Sequence, residues 1–146
     1  MCQQCGFHLY INSAAAVAAL IFNQEGKLLV TRRAVEPDTG KIDLPGGFVD
    51  PGETAEEALK RELFEELGVT VKSMRYLTSG SNEYLYSGMT VFTTDLLFRV
   101  EAVSHENLQA HDDITGFEWV DPKTVDTEEI PAPSIRYFIK EIATRA

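Results

Sequence analysis

The chain has 146 residues, 44% of them hydrophobic, which is enough for one globular core closed without disulfides. Its formal net charge of −10 argues against long contact with nucleic-acid phosphates, because such contact needs clustered Lys and Arg. An anionic ligand would therefore need positive charge brought to it.

The chain opens with MCQQCG, whose Cys2 and Cys5 are its two cysteines. A Cys-x-x-Cys pair supplies half of a tetrahedral zinc site, and no second pair follows. His8 could offer a third ligand and His105 or His111 a fourth, but nothing in the pattern makes them converge. We read residues 1–10 as a residual knuckle or tail with an ordinary reduced pair and no Zn²⁺, and 11–146 as one domain. The apolar run AAAVAALIF, Ala14–Phe22, is too short to span a bilayer and lacks the basic flank of a secretory signal, so a cytoplasmic setting without membrane contact is expected.

AAAVAALIF and KLLVTRR (27–33), separated by the turn-like NQEGK, predict an early hairpin. AVEPDTGK (34–41) reads as a loop. IDLPGGFVDPGE (42–53) is dense enough in Pro and Gly to turn sharply and expose bare backbone. A helix follows, from a capping box at Thr54 and Glu57 to a C-terminal Gly68. Ala55, Ala58, Leu59, Leu63 and Leu67 form its apolar stripe, with the carboxylates expected off that stripe. Beyond it, VTVKSMRYL (69–77), MTVFTTDLLFRVEA (89–102) and GFEWV (116–120) predict strands. A last helix is predicted over 134–144 with Ser134 as N-cap. Strands on both sides of a central helix, plus a terminal helix, imply a mixed sheet covered on its faces.

On the central helix, RELFEELG sets Glu62, Glu65 and Glu66 at i,i+3 and i,i+4 spacing, with Cβ atoms about 5–6 Å apart. An acidic helix face is commonly just solvated surface. Here, however, the loop LPGGFVDPGE brings two adjacent glycines and a further carboxylate, Glu53, to the same helix. Carboxylate and carbonyl oxygens with room for water suit a hard divalent cation that shares its shell with substrate phosphates. Arg61, four residues from both Glu57 and Glu65, can fix a glutamate by a forked hydrogen bond.

The spacing Gly47, five residues, Glu53, seven residues, then Arg61-Glu62-Leu63-Phe64-Glu65-Glu66-Leu67-Gly68-Val69 resembles the Nudix box at each of its nine specified positions. The resemblance implies a Nudix-type α/β/α sandwich with a central mixed β-sheet. It also implies a Mg²⁺-dependent (or Mn²⁺-dependent) hydrolase that cleaves a nucleoside diphosphate linked to another moiety. It makes Glu62, Glu65 and Glu66 metal ligands, Glu66 foremost, joined by a carbonyl of Gly46 or Gly47. Arg61 would orient a glutamate, and Glu53 would support the site. A later carboxylate would act as general base, for which Asp112, Asp113 and Glu118 all remain open.

Arg32, Arg33 and Lys41, together with Arg99, are candidates for phosphate contact, with Arg32 or Arg33 foremost because they end a strand just before the glycine loop. Tyr84 and Tyr86, in SNEYLYSG, could stack on a base. The array that marks NADH pyrophosphatases of the family is absent, and Tyr84 stands where its ADP-ribose pyrophosphatases carry a proline. MCQQCG resembles one knuckle of the zinc ribbon that precedes some NADH-pyrophosphatase-like members. ADP-ribose, NADH, dinucleoside polyphosphates and nucleotide sugars all remain open as substrates. So does a module that senses a nucleotide without turnover, and a homodimer is a family-level expectation.

Overall fold

The structure, a computed structural model, describes residues 1–146. Strand β1 (Ala14–Leu20) pairs antiparallel with β4 (Gly46–Phe48) and parallel with β6 (Met89–Ala102). β6 pairs in turn with β5 (Val71–Tyr86), giving a four-stranded mixed sheet in the order β4-β1-β6-β5. A second, three-stranded antiparallel sheet has the order β3-β2-β7, from Ile42–Asp43, Leu28–Arg33 and Ile114–Val120.

Alternation along the strands divides the core in two. Val17, Ala19, Phe98 and Val100 face helix α1 (Ala55–Leu67) and meet its Ala58, Leu59, Leu63 and Leu67. Ala18, Leu20 and Leu97 face the opposite way, onto Ile135, Phe138, Ile139 and Ala143. Those four belong to helix α2 (Pro133–Tyr137) and the helical turns that continue it to Arg145. A period of two on the strands thus feeds two helical faces, and an α/β/α sandwich about a mixed sheet results, as the sequence predicted.

Helix α1 begins and ends where the sequence places it. Thr54 Oγ1 accepts from Glu57 N at 3.1 Å, Glu57 Oε1 accepts from Thr54 N at 3.2 Å, and Gly68 closes the helix at φ 72°.

Other expectations change. The early hairpin exists only at its tip, where Asn23 Oδ1 accepts from Glu25 N and Lys27 N, and Phe22 bridges Leu28. β1 and β2 then part into different sheets, because each has a longer apolar partner elsewhere. β5 does not stop at Leu77. It runs on through Tyr86 and turns into β6 at Ser87 and Gly88, whose φ values of 49° and 76° suit a tight two-residue hairpin.

Ser134 is not the N-cap of α2. Ala132 takes that position, and Ser134 is buried with its hydroxyl turned onto Asp95. Its backbone N–H is satisfied from another strand, by Asn82 Oδ1 at 2.9 Å. No helix is long and apolar enough to cross a membrane.

Candidate active site

The cap and stripe that seat α1 on the sheet also aim its acidic edge at the β4 turn. Arg61 is the hub of that edge. Its Nε donates to Glu53 Oε2 at 2.7 Å and one terminal nitrogen donates to Glu53 Oε1 at 2.8 Å. That same nitrogen reaches Phe48 O at 3.1 Å and lies 3.4 Å from Asp50. The other donates to Glu62 at 2.9 Å and Glu65 at 3.3 Å. The expected i,i+4 contact with Glu65 forms, whereas Glu57 is held in the capping box instead. The Arg61 fork and the Asp50 N–H hold the Glu53 carboxyl down at about 2.

Glu66 departs from the expectation that the carboxylates lie off the apolar stripe. It is only 7% exposed, and Gly46 N donates to its Oε1 at 3.0 Å. Burial raises its carboxyl to about 8, against the Gly46 hydrogen bond, and Glu62, Asp43 and Asp113 add like charge. Burial likewise raises Glu62, against Arg61.

The two box glycines are required for different reasons. A Cβ on Gly47 would come within 2.5 Å of the Glu62 carboxyl carbon, so the carboxylate lies directly on bare backbone. A Cβ on Gly46, which sits at φ 149°, would strike the Val17 backbone carbonyl.

No three acidic or His/Cys side chains converge as a ready-made ion cage. Glu62 and Glu65 are turned onto Arg61, the nearest positive charge, and Glu66 rests on Gly46. The donor chemistry nevertheless fits a divalent cation. There are three carboxylates at one helix edge, one of them raised by burial with neighbouring acids adding to it, and Glu62 stacked on a glycine carrying a backbone carbonyl.

Glu62, Glu66, Gly46, Gly47 and Asp113 open on a cavity of about 1080 Å³ that also takes in Arg33, Tyr84 and Tyr86. Asp113 is brought there by a loop docked on the end of α1, where His111 N donates to Glu66 O at 2.8 Å and Gln109 N to Leu67 O at 3.3 Å. Arg33 is steadied by Pro37 O (2.8 Å from Nε) and by Asp43 (3.2 Å), which leaves one terminal nitrogen without a protein partner.

The remaining candidates stand outside the cavity. Arg32 is on the opposite face of β2, clamped between Glu118 and Glu129 at 2.5 and 2.6 Å. That clamp removes Glu118 as a free base along with Arg32 as a free cation. Lys41 and Asp112 do not line the cavity either, and Arg99 lies over the Phe22 ring, 4.9 Å from its centroid. Cys2 and Cys5 are exposed and reduced at the far end of the chain.

Sequence reasoning missed a second polar group in the cavity, formed by Asn82, Thr93, Asp95 and Ser134. A lone acid, Asp95, within the otherwise uncharged run from Met89 to Phe98 was its one visible signal.

The NUDIX domain model matches residues 12–141 of this chain. A NAD-capped RNA hydrolase NudC of Chromobacterium violaceum is 36% identical over 94 residues, covering 64% of this chain and 35% of that protein. An ADP-ribose pyrophosphatase of Methanocaldococcus jannaschii is 44% identical over 66 residues, covering 45% of this chain and 38% of that protein. The chain thus spans little more than a third of the length of these curated relatives. Among solved structures, the MutT protein of Methanosarcina mazei superposes with a TM-score of 0.69 at 26% identity, covering 94% of this chain and 97% of that one.

Proposed function

The chain belongs to the NUDIX family, and from that premise we propose that it is a Mg²⁺-dependent (or Mn²⁺-dependent) pyrophosphohydrolase of a nucleoside diphosphate linked to another moiety. The observation that carries this reading is the acidic edge of α1, gathered by Arg61 and opening on the same cavity as Arg33 and Asp113. An acidic chain cannot by itself attract a pyrophosphate, so this arrangement makes sense as a place where a cation joins protein to substrate.

Glu62, Glu65 and Glu66 would hold the ion, with a carbonyl of Gly46 or Gly47. When bound, it would lower the pKa of a coordinated water and neutralise charge on the phosphate oxygens. Arg61 is a positioning residue that aligns Glu62 and Glu65, and Glu53 fixes Arg61 in turn. The unpaired nitrogen of Arg33 would grip a substrate phosphate. Asp113, the one base candidate on the cavity, would take the proton of the attacking water. Tyr84 and Tyr86 offer flat walls for a base.

The activities of the relatives, a NAD-capped RNA hydrolase and an ADP-ribose pyrophosphatase, favour ADP-ribose and NAD-derived substrates, and a cytoplasmic setting fits such metabolites. The test is a panel of ADP-ribose, NADH, a dinucleoside polyphosphate, a nucleotide sugar and a NAD-capped oligoribonucleotide, with and without Mg²⁺, beside a Glu66→Gln control. Metal-dependent release of a mononucleotide, lost in the control, supports the hydrolase. Binding without turnover in any condition overturns it in favour of a nucleotide-sensing module.

A further inference from the structure

The cavity has two chemically different ends. Glu62, Glu66 and Arg33 make one of them. At the other, the sheet face is lined by Tyr84, Val91 and Ala16, and the loop before α2 closes over it with Pro131 and Ala132. Asp43 lines the same cavity. No cationic side chain lines the second end. Arg136, the nearest basic residue along the chain, is spent on the carbonyls of Ile130 and Pro131. Such a surface repels phosphate and accepts a flat neutral group.

Asp95 lies at the base of this end, 7% exposed, and its two oxygens differ. Oδ2 accepts from Asn82 Nδ2 at 2.8 Å and from the Ser134 hydroxyl. Asn82 is fully committed as well. Its amide also donates to Thr93 Oγ1 and Ser134 Oγ, and its oxygen accepts from Ser134 N. Gly80 permits the close approach, since a Cβ there would come within 3.0 Å of Ser134 Cβ. No donor of the protein reaches Asp95 Oδ1, yet no buried side-chain oxygen is left without a partner. Oδ1 therefore keeps some exposure, and Asp95 lines the cavity. The fold has built a fixed carboxylate with a single free acceptor position on the sheet face that also carries Tyr84, whose partner Val91 lies four residues before Asp95 on β6.

We propose that Asp95 is the specificity-determining residue for the base of the substrate, with Oδ1 accepting a hydrogen bond from the exocyclic 6-amino group of an adenine lying against Tyr84. This deepens the hydrolase reading and rests on it for the nucleotide class. One free oxygen matches one amino donor, whereas the adjacent imino and amino donors of guanine call for both oxygens. A 6-oxo base presents an acceptor to an acceptor and is refused.

The network also fixes what a substitution does. In Asp95→Asn, Asn82 and Ser134 still donate toward the Oδ2 position, so the amide carbonyl settles there and the NH₂ group faces the cavity. An acceptor becomes a donor with no change of size.

The experiment measures calorimetric affinities, with Mg²⁺ present, of wild type and Asp95→Asn for ADP-ribose and its hypoxanthine counterpart, IDP-ribose, each with the bridging oxygen of the diphosphate replaced by a methylene so that it binds without being cleaved. Wild type is expected to prefer ADP-ribose by about tenfold or more, and the variant to shift the ratio toward IDP-ribose by roughly 10–100-fold. Equal weakening toward both ligands, or a ratio within twofold of wild type, overturns the proposal and leaves Asp95 a structural residue. Should the variant fail to fold, the wild type decides alone. Equal affinity for ADP-ribose, IDP-ribose and the purine analogue lacking a 6-substituent, or no binding of any of them, overturns it. Because binding is read without turnover, failure of the hydrolase reading is seen separately, in the Mg²⁺-dependent panel.

Discussion

Arg61 grips Glu53 through two parallel hydrogen bonds of 2.7 and 2.8 Å, the planar fork of a guanidinium matched to both carboxylate oxygens. The contact joins the end of the glycine loop to the middle of α1, so it sets how the loop carbonyls face the helix glutamates. It also holds Glu53 at about 2, below its ordinary range. A depressed carboxyl contributes stability that is present above the unfolded value and lost as pH falls through the folded one. Glu53→Gln should therefore lower Tm at pH 6, and the gap to wild type should close between about pH 4.5 and 2. Thermal scans across that window check it; a gap independent of pH would break the argument.

Arg61→Lys keeps the charge and loses the fork. A single ammonium cannot serve Glu53 on two oxygens while also reaching Glu62, Glu65 and Phe48 O. The expected outcome is a fall in kcat of roughly tenfold or more with a small change in Tm, since this hub orders the site more than it supports the core. Steady-state kinetics beside a melting curve separate the two effects.

Glu66 carries the opposite sign. Its carboxyl is raised by burial to about 8, so the metal-free protein gains from its protonated form. That contribution is whole below the unfolded value and is lost as pH climbs through the folded one, on the order of 4 kcal/mol by pH 8. Metal-free wild type should lose Tm between pH 5 and 8, and Glu66→Gln should flatten the slope. Added Mg²⁺ favours the ionised carboxylate and should restore wild type alone, releasing protons as it binds. Melting curves at several pH values with and without the ion test all three statements.

The two adjacent glycines part company under substitution. In Gly47→Ala the new methyl meets only the end of the Glu62 side chain, which can swing aside. The fold should survive with Tm changed by a few degrees, and Mg²⁺-dependent turnover should drop by tenfold or more as Glu62 leaves its place. In Gly46→Ala the methyl meets the backbone of Val17, which cannot move without disturbing the β1–β4 pairing. That variant should be destabilised by roughly 1–3 kcal/mol or more, with circular dichroism melts as the measure.

What the sequence disclosed follows the range of the forces involved. The capping box, Gly68 and the spacing of Glu62, Glu65 and Glu66 act within one helix, and α1 formed as read. Arg32 and Arg33 were indistinguishable because their fates depend on which face of β2 each takes, and the β2–β7 pairing is irregular between them. The neighbours of Ser134 in sequence predict a cap. Asp95, 39 residues away in sequence, draws its hydroxyl inward, and Asn82, 52 residues away, accepts from its backbone N–H. A contact of that span leaves no local pattern, and the second end of the cavity was invisible for that reason.

The three acids considered as general base now have separable outcomes. Asp113 opens on the cavity, and its charge acts on both Glu62 and Glu66. Asp113→Asn should lower kcat by roughly 10²–10⁴-fold with little change in KM. Glu118 is bound to Arg32, 2.5 Å away, so Glu118→Gln should leave kcat within a few-fold while costing about 1 kcal/mol or less of stability at this half-exposed pair. Asp112 sits at φ 55° outside the cavity, and Asp112→Asn should be neutral in both respects, because Asn tolerates the left-handed region as well as Asp does. A kinetic loss in Glu118→Gln or Asp112→Asn equal to that in Asp113→Asn would mean that the loop closes differently over a bound substrate. The base would then be chosen by that closure and not by the geometry of the free protein.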